Sequence, residues 1–398
     1  MPFTSVQASP TNTSDQALRR RLDGAPKLDL IEHMRSAIAA NDKRWLTVVS
    51  EIRKLSRGPG ALSAEEYFYY RLYDPALPFA AKQRFVGKAA QRRIHAACND
   101  PAWRELAHDK LVFYARMSEC GLPVPRTLAT YRAAQGLAGA ASLADQAELA
   151  AFLRRNTLYP CFAKPVDGMY SLGAFSIDGY DADADALVLA GGARLPIADF
   201  IGRLDGADYA GYLLQERLRP HPEIARMIGE RIATARLVIL FAGAEPEIFR
   251  SLWKIPVGAN IADNFWRAGN MLAAIDSASG RILRVVSGVG KDHRLRDAHP
   301  DTWEPLVDRV LPLWVETTAV CRAGAAALPG IRTQSWDIAI TPTGPVIVEV
   351  NFGGDLNLPQ LAFGAGILDE RFQAHLLACA AARSNDSSSE RKSAPHRP

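Results

Sequence analysis

Cysteine is scarce in this chain of 398 residues: Cys98, Cys120, Cys161, Cys321 and Cys379 are odd in number, scattered and never spaced C-x-x-C. That pattern argues against a disulfide framework or a zinc site and fits a reducing compartment. Long hydrophobic runs are also missing. The longest, around LVILFAGA, falls far short of the roughly 20 residues that a membrane span needs. The start, MPFTSVQASPTNTSDQ, is polar and lacks the charged-then-apolar order of a signal peptide, so a cytoplasmic protein is expected. Charge of one sign is not in excess: the net charge of +4 gives no argument for nucleic acid and leaves room only for a local basic patch. No internal repeat is visible. What remains is an ordinary globular composition, 48% hydrophobic and 23% charged, long enough for two or three domains with real cores.

Residues 1–25 are rich in Ser, Thr, Pro and Asn and then basic, the composition of a disordered lead; 384–398, SNDSSSERKSAPHRP, read as a disordered tail. From 26 to 104 apolar residues recur at three- and four-residue spacing, which predicts a helical region. Within it the segment 75–99 contains no acid but has Lys82, Arg84, Lys88, Arg92 and Arg93. A solvated helix face explains this. A docking surface for a phosphate-bearing substrate, a glycosyltransferase or an anionic membrane is the functional alternative. After a helix that ends at Gly121, LYPCFAKPVDGMYSLGAFSIDGYD reads as strand, glycine loop, strand. YAGYLLQERLRPHPEIARMIGERIATARLVILFAG reads as strand, loop, helix, strand. A meander to about 295 and a helix at 301–326 lead to the hairpin SWDIAITPTGPVIVEVN, residues 335–351.

That hairpin carries an acid on each arm. With a three-residue loop at 342–344, Thr341 faces Pro345 and Asp337 faces Glu349. Trp336, Ile338, Ile340, Val346, Val348 and Val350 then share a core face, and Asp337, Ile347, Glu349 and Asn351 share the other. Opposed Cβ atoms lie roughly 4.5–5.5 Å apart. Two carboxylates at that separation repel by about 3 kcal/mol at an effective dielectric of about 20. A shared proton, a bridging arginine or a divalent metal must offset this. Two acids and an amide are hard oxygen donors and suit Mg²⁺; a merely hydrated polar face is the plain alternative. A four-residue loop would put the acids on opposite faces.

Two further segments carry chemistry. Lys164 ends an apolar strand beside a loop with Gly168, Ser171 and Gly173, and an ammonium next to approachable backbone N–H groups suits phosphate. The loop is neither a Walker A sequence nor G-x-G-x-x-G, and SGVGKD at 287–292 lacks the first glycine and the Ser/Thr of the former. In LLQERLRPHPEI an apolar strand ends at Gln215-Glu216, and Glu223 follows seven residues after Glu216. A hinge there offers backbone groups to a flat ring, and a carboxylate to a diol.

In order and spacing these segments resemble the ATP-grasp superfamily, over roughly residues 105–380. The resemblance implies an α+β fold: two α+β lobes with mainly antiparallel sheets gripping ATP, plus the N-terminal helical extension. The lobes would be 105–215, with the glycine-loop lid, and 216–383, with the metal site. It implies that Lys110 touches the nucleotide phosphates and that Lys164 holds the α- and β-phosphates under the loop of Gly168, Ser171 and Gly173. Gln215, Glu216 and the backbone of Arg217 and Leu218 would meet the adenine, and Glu223 the ribose. Asp337, Glu349 and Asn351 would hold one or two Mg²⁺ ions bridging the β- and γ-phosphates.

TARLVIL, SLWKIPVGANIADNFWRAGNMLAAIDSASGRI and WDIAITPTGPVIVEVNFGGD, with the helical extension, are similar to a narrower branch. This is the sugar-transfer-associated ATP-grasp proteins linked to cell-surface polysaccharide biosynthesis. On that likeness Arg236 faces the transferred phosphate, Asp263, Asn264, Gly269 and Asn270 belong to a loop near the substrate, and Asp355 trails the metal motif. The branch's glycine pair is here Gly269-Asn270-Met271. The implied activity is an ADP-forming carboxylate–amine ligase using ATP and Mg²⁺ on a small-molecule or glycan-precursor substrate, with Arg236 and Lys164 catalytic and Arg236, Asn264 and Asn270 binding substrate. A phosphotransferase acting on a hydroxyl or sugar, and a non-catalytic nucleotide-binding accessory of a glycosyltransferase system, are the alternatives.

Overall fold

Apolar periodicity in the first quarter of the chain becomes a run of short helices: α1 (Leu30–Asn41), α2 (Trp45–Arg57), α3 (Ala64–Tyr69), α4 (Phe79–Lys82), α5 (Lys88–Cys98), α6 (Arg104–His108) and α7 (Lys110–Glu119). The structure is a computed structural model that describes residues 28–41, 44–168, 172–260 and 262–393. The lead expected at 1–25 and the loop residue Ser171 lie outside the described residues. Local chemistry starts and links these helices. Ser63 caps α3 by accepting from the Glu66 N–H (3.1 Å), and the Glu66 carboxylate returns the bond to the Ser63 N–H (2.8 Å). The same carboxylate accepts from the Lys88 N–H at 2.6 Å, which ties the start of α5 to α3. The basic segment does not present one charged face. Lys82 is buried against Glu51 (3.1 Å), Lys88 is half-buried, and Arg84, Arg92 and Arg93 are exposed.

The chain divides into two compact units. Of the described residues, Asp109–Ala115 and those of 125–218 form the first; those of 28–108, Arg116–Val124 and those of 219–393 form the second. The first unit is built on a seven-stranded sheet. Its elements in chain order are β1 (Thr127–Tyr131), β2 (Ala141–Leu143), α8 (Gln146–Leu153), β3 (Cys161–Pro165), β4 (Phe175–Asp181), β5 (Ala186–Leu189), β6 (Arg194–Pro196), α9 (Ile197–Asp205) and β7 (Tyr212–Glu216). The strand order is β2-β1-β7-β3-β4-β5-β6, antiparallel except for β1–β2. Leu149, Phe152 and Leu153 of α8 and Phe200, Ile201 and Leu204 of α9 bury against Ala129, Ala163, Ile177, Leu187 and Leu214. Such aliphatic and aromatic side chains contribute about 1.5–3 kcal/mol each when fully buried.

The second unit continues with α10 (Pro222–Ile228), β8 (Thr234–Leu240), β9 (Glu247–Ile255), β10 (Met271–Ile275), β11 (Ile282–Ser287), β12 (Arg294–Leu295), α11 (Trp314–Ala326), β13 (Thr333–Thr341), β14 (Gly344–Asn351), α12 (Asn357–Phe363) and α13 (Glu370–Ser393). Its seven-stranded sheet is antiparallel throughout, in the order β12-β11-β10-β9-β8-β13-β14. The architecture is α+β, with two antiparallel-rich sheets and a helical N-terminal region. Two boundaries differ from expectation. The helix expected at 301–326 begins only at Trp314, because Pro305 and Pro312 withhold N–H donors and Trp303, Asp308 and Leu313 take positive φ. The helix α13 runs past residue 384 to Ser393; its Ala-rich sequence favours the helix and no proline interrupts it before Pro395. Among the described residues no helix is long and apolar enough to cross a membrane.

The hairpin β13–β14 turns on two residues, Pro342 and Thr343, so that Thr341 pairs with Gly344 rather than facing Pro345. A two-residue turn alone would place Glu349 opposite Trp336. A β-bulge at Val348 adds one residue to β14 and restores the pairing of Asp337 with Glu349. The expected core face is corrected accordingly. Before the bulge the faces of β14 are exchanged, so Ile347 is fully buried beside Ile338 while Val346 and Val348 are only half-buried. The helix α11 packs on this core face: a Cβ at Gly324 would stand 2.8 Å from the Trp336 ring and 3.4 Å from Ile347 Cδ1.

Candidate functional site

In an antiparallel ladder, directly paired residues point to the same face. The register of the second sheet therefore sets one row of side chains on the face away from Trp336: Glu349 (β14), Asp337 (β13), Arg236 (β8), Leu252 (β9), Ala274 (β10) and Arg284 (β11). Asn351 pairs with Ser335, two positions along, and shares that face.

Asp337 is the centre of a buried ion cluster. Arg236 donates from Nε to Asp337 Oδ1 (2.7 Å) and from Nη2 to Oδ2 (2.6 Å), and Lys254 Nζ donates to Oδ2 (2.9 Å). Lys254 also faces Asp263 at 3.3 Å, and Asp263 accepts from the Thr234 N–H (2.8 Å) and hydroxyl (2.5 Å). Asp337 is 1% exposed, Arg236 6% and Lys254 7%, so these charges exist only as a set. Burial alone would push the Asp337 carboxyl up, but Arg236 and Lys254 outweigh it and hold it well below the usual carboxylate range. Burial likewise opposes the charge on Arg236 and on Lys254. Asp337 outweighs it for the guanidinium, and Asp263 with Asp337 for the ammonium, so both sit above their ordinary values. The Asp337 charge is thus balanced by Arg236 and Lys254, and among the described residues no arginine bridges it to Glu349.

Enough donor capacity remains for a hard cation. Asp337 Oδ2 takes two donors and Oδ1 only one, which leaves Oδ1 an open acceptor position. Glu349 is half-buried and forms no ion pair among the described residues. Asn351 Nδ2 is buried with no hydrogen-bond partner. Rotating that amide by half a turn presents its oxygen at the same point. Two carboxylates and an amide match the oxygen-only preference of Mg²⁺.

The loop before β10 is stapled from within. Asn270 Nδ2 donates to the Ala262 (2.9 Å) and Asn264 (2.8 Å) carbonyls, and its Oδ1 accepts from the Val257 N–H and Asn260 Nδ2, both at 2.9 Å. Gly269 takes the left-handed φ of +90° that the turn requires, and Asn270 does not. Asn264 Oδ1 accepts from the Trp266 N–H (3.1 Å). Asp355 accepts from Trp266 Nε1 (3.2 Å). Glu223 lies exposed in the first turn of α10.

In the first unit the nucleotide candidates gather around β3 and β7. Lys164 donates to the Tyr114 hydroxyl (2.7 Å) and lies 5.1 Å from the centre of its ring. Lys110, at the start of α7, donates to the carbonyls of Val166 (3.3 Å) and Gly168 (2.6 Å), so its ammonium holds the chain where it enters the glycine loop. Gly173 has φ +69°, and a Cβ there would stand 2.8 Å from the Tyr209 ring. Gln215 is buried and donates to Thr127 Oγ1 (3.2 Å); Glu216 is exposed and pairs with Arg126 (2.9 Å). The Arg217 side chain pairs with Asp178, and its N–H is given to the Pro160 carbonyl (3.3 Å).

The sequence reading missed Lys254, although a lysine inside the apolar strand SLWKIP was a visible signal. It also missed Cys98, His375 and Cys379, whose donor atoms lie within 4.8 Å of one another in the core. Two thiols and an imidazole are one donor short of a closed structural zinc site. His375 Nε2 is hydrogen-bonded to Thr333 Oγ1 (2.9 Å), so this cluster is a polar link between α5, α13 and β13.

The profile of a family described as sugar-transfer associated ATP-grasp matches residues 90–374. No curated protein sequence matches the chain. Among solved structures it is similar to the D-alanine–D-alanine ligase of Coxiella burnetii, at 11% identity over 72% of this chain and 60% of that one, with a TM-score of 0.40. The L-amino acid ligase of Bacillus licheniformis gives 13% identity over 76% and 54%, with a TM-score of 0.39. The N5-carboxyaminoimidazole synthase of Aspergillus clavatus, in complex with ADP, gives 10% identity over 67% and 51%, with a TM-score of 0.36. The chain spans about half the length of the last of these.

Proposed function

The chain belongs to the sugar-transfer associated ATP-grasp family, and from that premise we propose that it is a Mg-ATP-dependent ligase. It would activate a substrate carboxylate as an acylphosphate for attack by an amine or similar nucleophile, in cell-surface polysaccharide or related biosynthesis. The observation that carries this reading is the row of Arg236, Asp337 and Glu349, with Asn351 beside it, on one sheet face.

In this reading Asp337, Glu349 and Asn351 hold magnesium, which supplies charge neutralisation at the β- and γ-phosphate oxygens when bound. Lys164 is assigned to the α- and β-phosphates, exchanging the Tyr114 hydroxyl for a phosphate oxygen. Lys110 is assigned to the phosphates, with Gly168, Ser171 and Gly173. Because the Arg217 N–H is already given to Pro160, the next N–H, that of Leu218, is the hinge donor to the base. Gln215 and Glu216 flank it, and Glu223 takes the ribose diol. Arg236, held cationic by Asp337, stabilises charge on the transferring phosphoryl group, the main task in such reactions. Asn264 contacts substrate, while Asn270 acts by holding the loop that carries it.

The substrate carboxylate attacks the γ-phosphorus and ADP leaves with the bridging oxygen's electron pair. The nucleophile then attacks the acyl carbon and phosphate departs. Incubating the pure chain with ATP, Mg²⁺ and a metabolite extract tests this. Free phosphate together with a condensed product mass is expected. A stable phosphoester without free phosphate would make the protein a phosphotransferase, and nucleotide binding without turnover an accessory.

A further inference from the structure

At the other end of the same sheet row, Arg284 reaches a cavity of about 130 Å³ that Arg71, Asp74 and His293 also line. The imidazole of His293 sits between two guanidinium groups: Arg71 Nη1 is 3.2 Å from Nδ1, and Arg284 Nη2 is 3.3 Å from Nε2. A neutral imidazole accepts at only one nitrogen, so one of these contacts sets N–H against N–H. Burial, then Arg284 and Arg71, push that imidazole down to about 4, and burial and Arg71 push the Arg284 guanidinium down as well. Arg71 Nε is buried with no hydrogen-bond partner. Among the described residues neither arginine forms an ion pair with a carboxylate. Asp74, the one acid in the lining, accepts instead from the Ala76 N–H at 2.9 Å. Two guanidinium groups and an imidazole thus line the cavity against a single carboxylate, Asp74.

The backbone is shaped around this arrangement. Arg71 takes φ +54°, a left-handed conformation unfavourable to any residue but glycine, and is fixed there by Leu72 N–H to Tyr67 (3.0 Å) and Asp74 N–H to its own carbonyl (2.9 Å). Gly364 leaves room on the other side, since a Cβ there would stand 2.5 Å from Arg284 Nη1. The cavity is well below the roughly 300–1,000 Å³ that encloses a whole small molecule. It fits one charged end of a ligand. Arg284 lies four strand steps from Asp337 on the same face, roughly 19 Å at about 4.8 Å per step.

We propose that Arg71, His293 and Arg284 form a second anion subsite, distinct from the nucleotide's, that grips a phosphate monoester on a water-soluble acceptor substrate. The word acceptor rests on the ligase reading; the phosphate site itself does not. Planar guanidinium groups recognise phosphoryl oxygens. Arg284 is held in place by Nη1 donation to the Leu361 (3.4 Å) and Ala362 (3.1 Å) carbonyls, and Arg71 supplies the second guanidinium from outside residues 90–374, in the helical N-terminal region.

Calorimetry on the full chain tests it, in magnesium-free buffer and in a Lys164→Ala background that weakens the proposed nucleotide phosphate site. The probes are inorganic phosphate, a hexose 1-phosphate, and phosphatidylcholine vesicles containing phosphatidic acid. Saturable and mutually competitive binding of the first two is expected, weakened at least tenfold by Arg284→Gln and by Arg71→Gln. In the wild-type chain, which needs no variant to fold, phosphate should shift the ring ¹⁵N resonances of His293. Equal affinity in the arginine variants, an unmoved His293, or binding of the vesicles alone would overturn the proposal. Because no ATP or magnesium is present, it can fail while the ligase reading survives, and the reverse.

Discussion

Lys164 in the first sheet and Lys254 in the second are both buried ammonium groups on strands, and they are held differently. Lys164 meets a tyrosine hydroxyl and the face of its ring. Lys254 meets two carboxylates, those of Asp337 and Asp263. A cation on a hydroxyl exchanges it for a phosphate oxygen at small cost and gains charge pairing. A cation locked to buried carboxylates cannot leave without stranding them. In the proposed reading the difference separates two duties: Lys164 would meet the nucleotide phosphates, whereas Lys254 holds Asp337, and through it Arg236, in position before any ligand arrives.

Removing the shared carboxylate breaks the second arrangement most severely. Asp337→Ala leaves Arg236 and Lys254 buried together without it, and should lower the unfolding free energy by about 3–5 kcal/mol as well as abolishing turnover. Denaturant titration measures this, and a loss below about 1 kcal/mol would mean the cluster is not buried as described. Substituting the two lysines in parallel sharpens the contrast. Lys254→Met should cost roughly 2–3 kcal/mol of stability, because a buried carboxylate loses a partner. Lys164→Met should cost about 1 kcal/mol and instead weaken ATP binding. Comparable stability losses in the two variants would erase the distinction.

The smallest expected effect is one of pH. Asp337 lies below its ordinary range, so its stabilisation is complete above the usual carboxylate pKa and is lost only as pH falls through the depressed value. Lys254 lies above its ordinary range, so its stabilisation is complete below the usual lysine pKa and is lost as pH rises through the raised value. The difference in unfolding free energy between wild type and Asp337→Asn should therefore stay flat between about pH 5 and pH 9. A slope across that window would show that the charges titrate separately.

Individual strands and helices were legible because glycine turns and helix stops leave local signals, whereas the α+β class and the antiparallel sheets came from the resemblance that the order of those segments carries. The pairing of Asp337 with Glu349 was reached through two compensating errors, a turn one residue too long and an unseen bulge at Val348. A bulge answers to sheet twist and to the packing of Trp336 and Ile347 under α11, which no single segment encodes. The importance of Lys254 depends on how β9 lies against β8, and the contact between Arg71 and His293 joins residues 222 positions apart. Asn270 was legible as a loop residue, but its four hydrogen bonds depend on where Val257, Asn260, Ala262 and Asn264 fold back.

Glu349 offers the most direct test, since its carboxylate joins no ion pair among the described residues and its replacement should spare the fold. Calorimetric titration of ATP into wild type and Glu349→Gln, each with and without magnesium, separates metal holding from stability. The account predicts magnesium-enhanced ATP binding in wild type and loss of that enhancement in Glu349→Gln at an unchanged melting temperature. Equal magnesium enhancement in both proteins would contradict it.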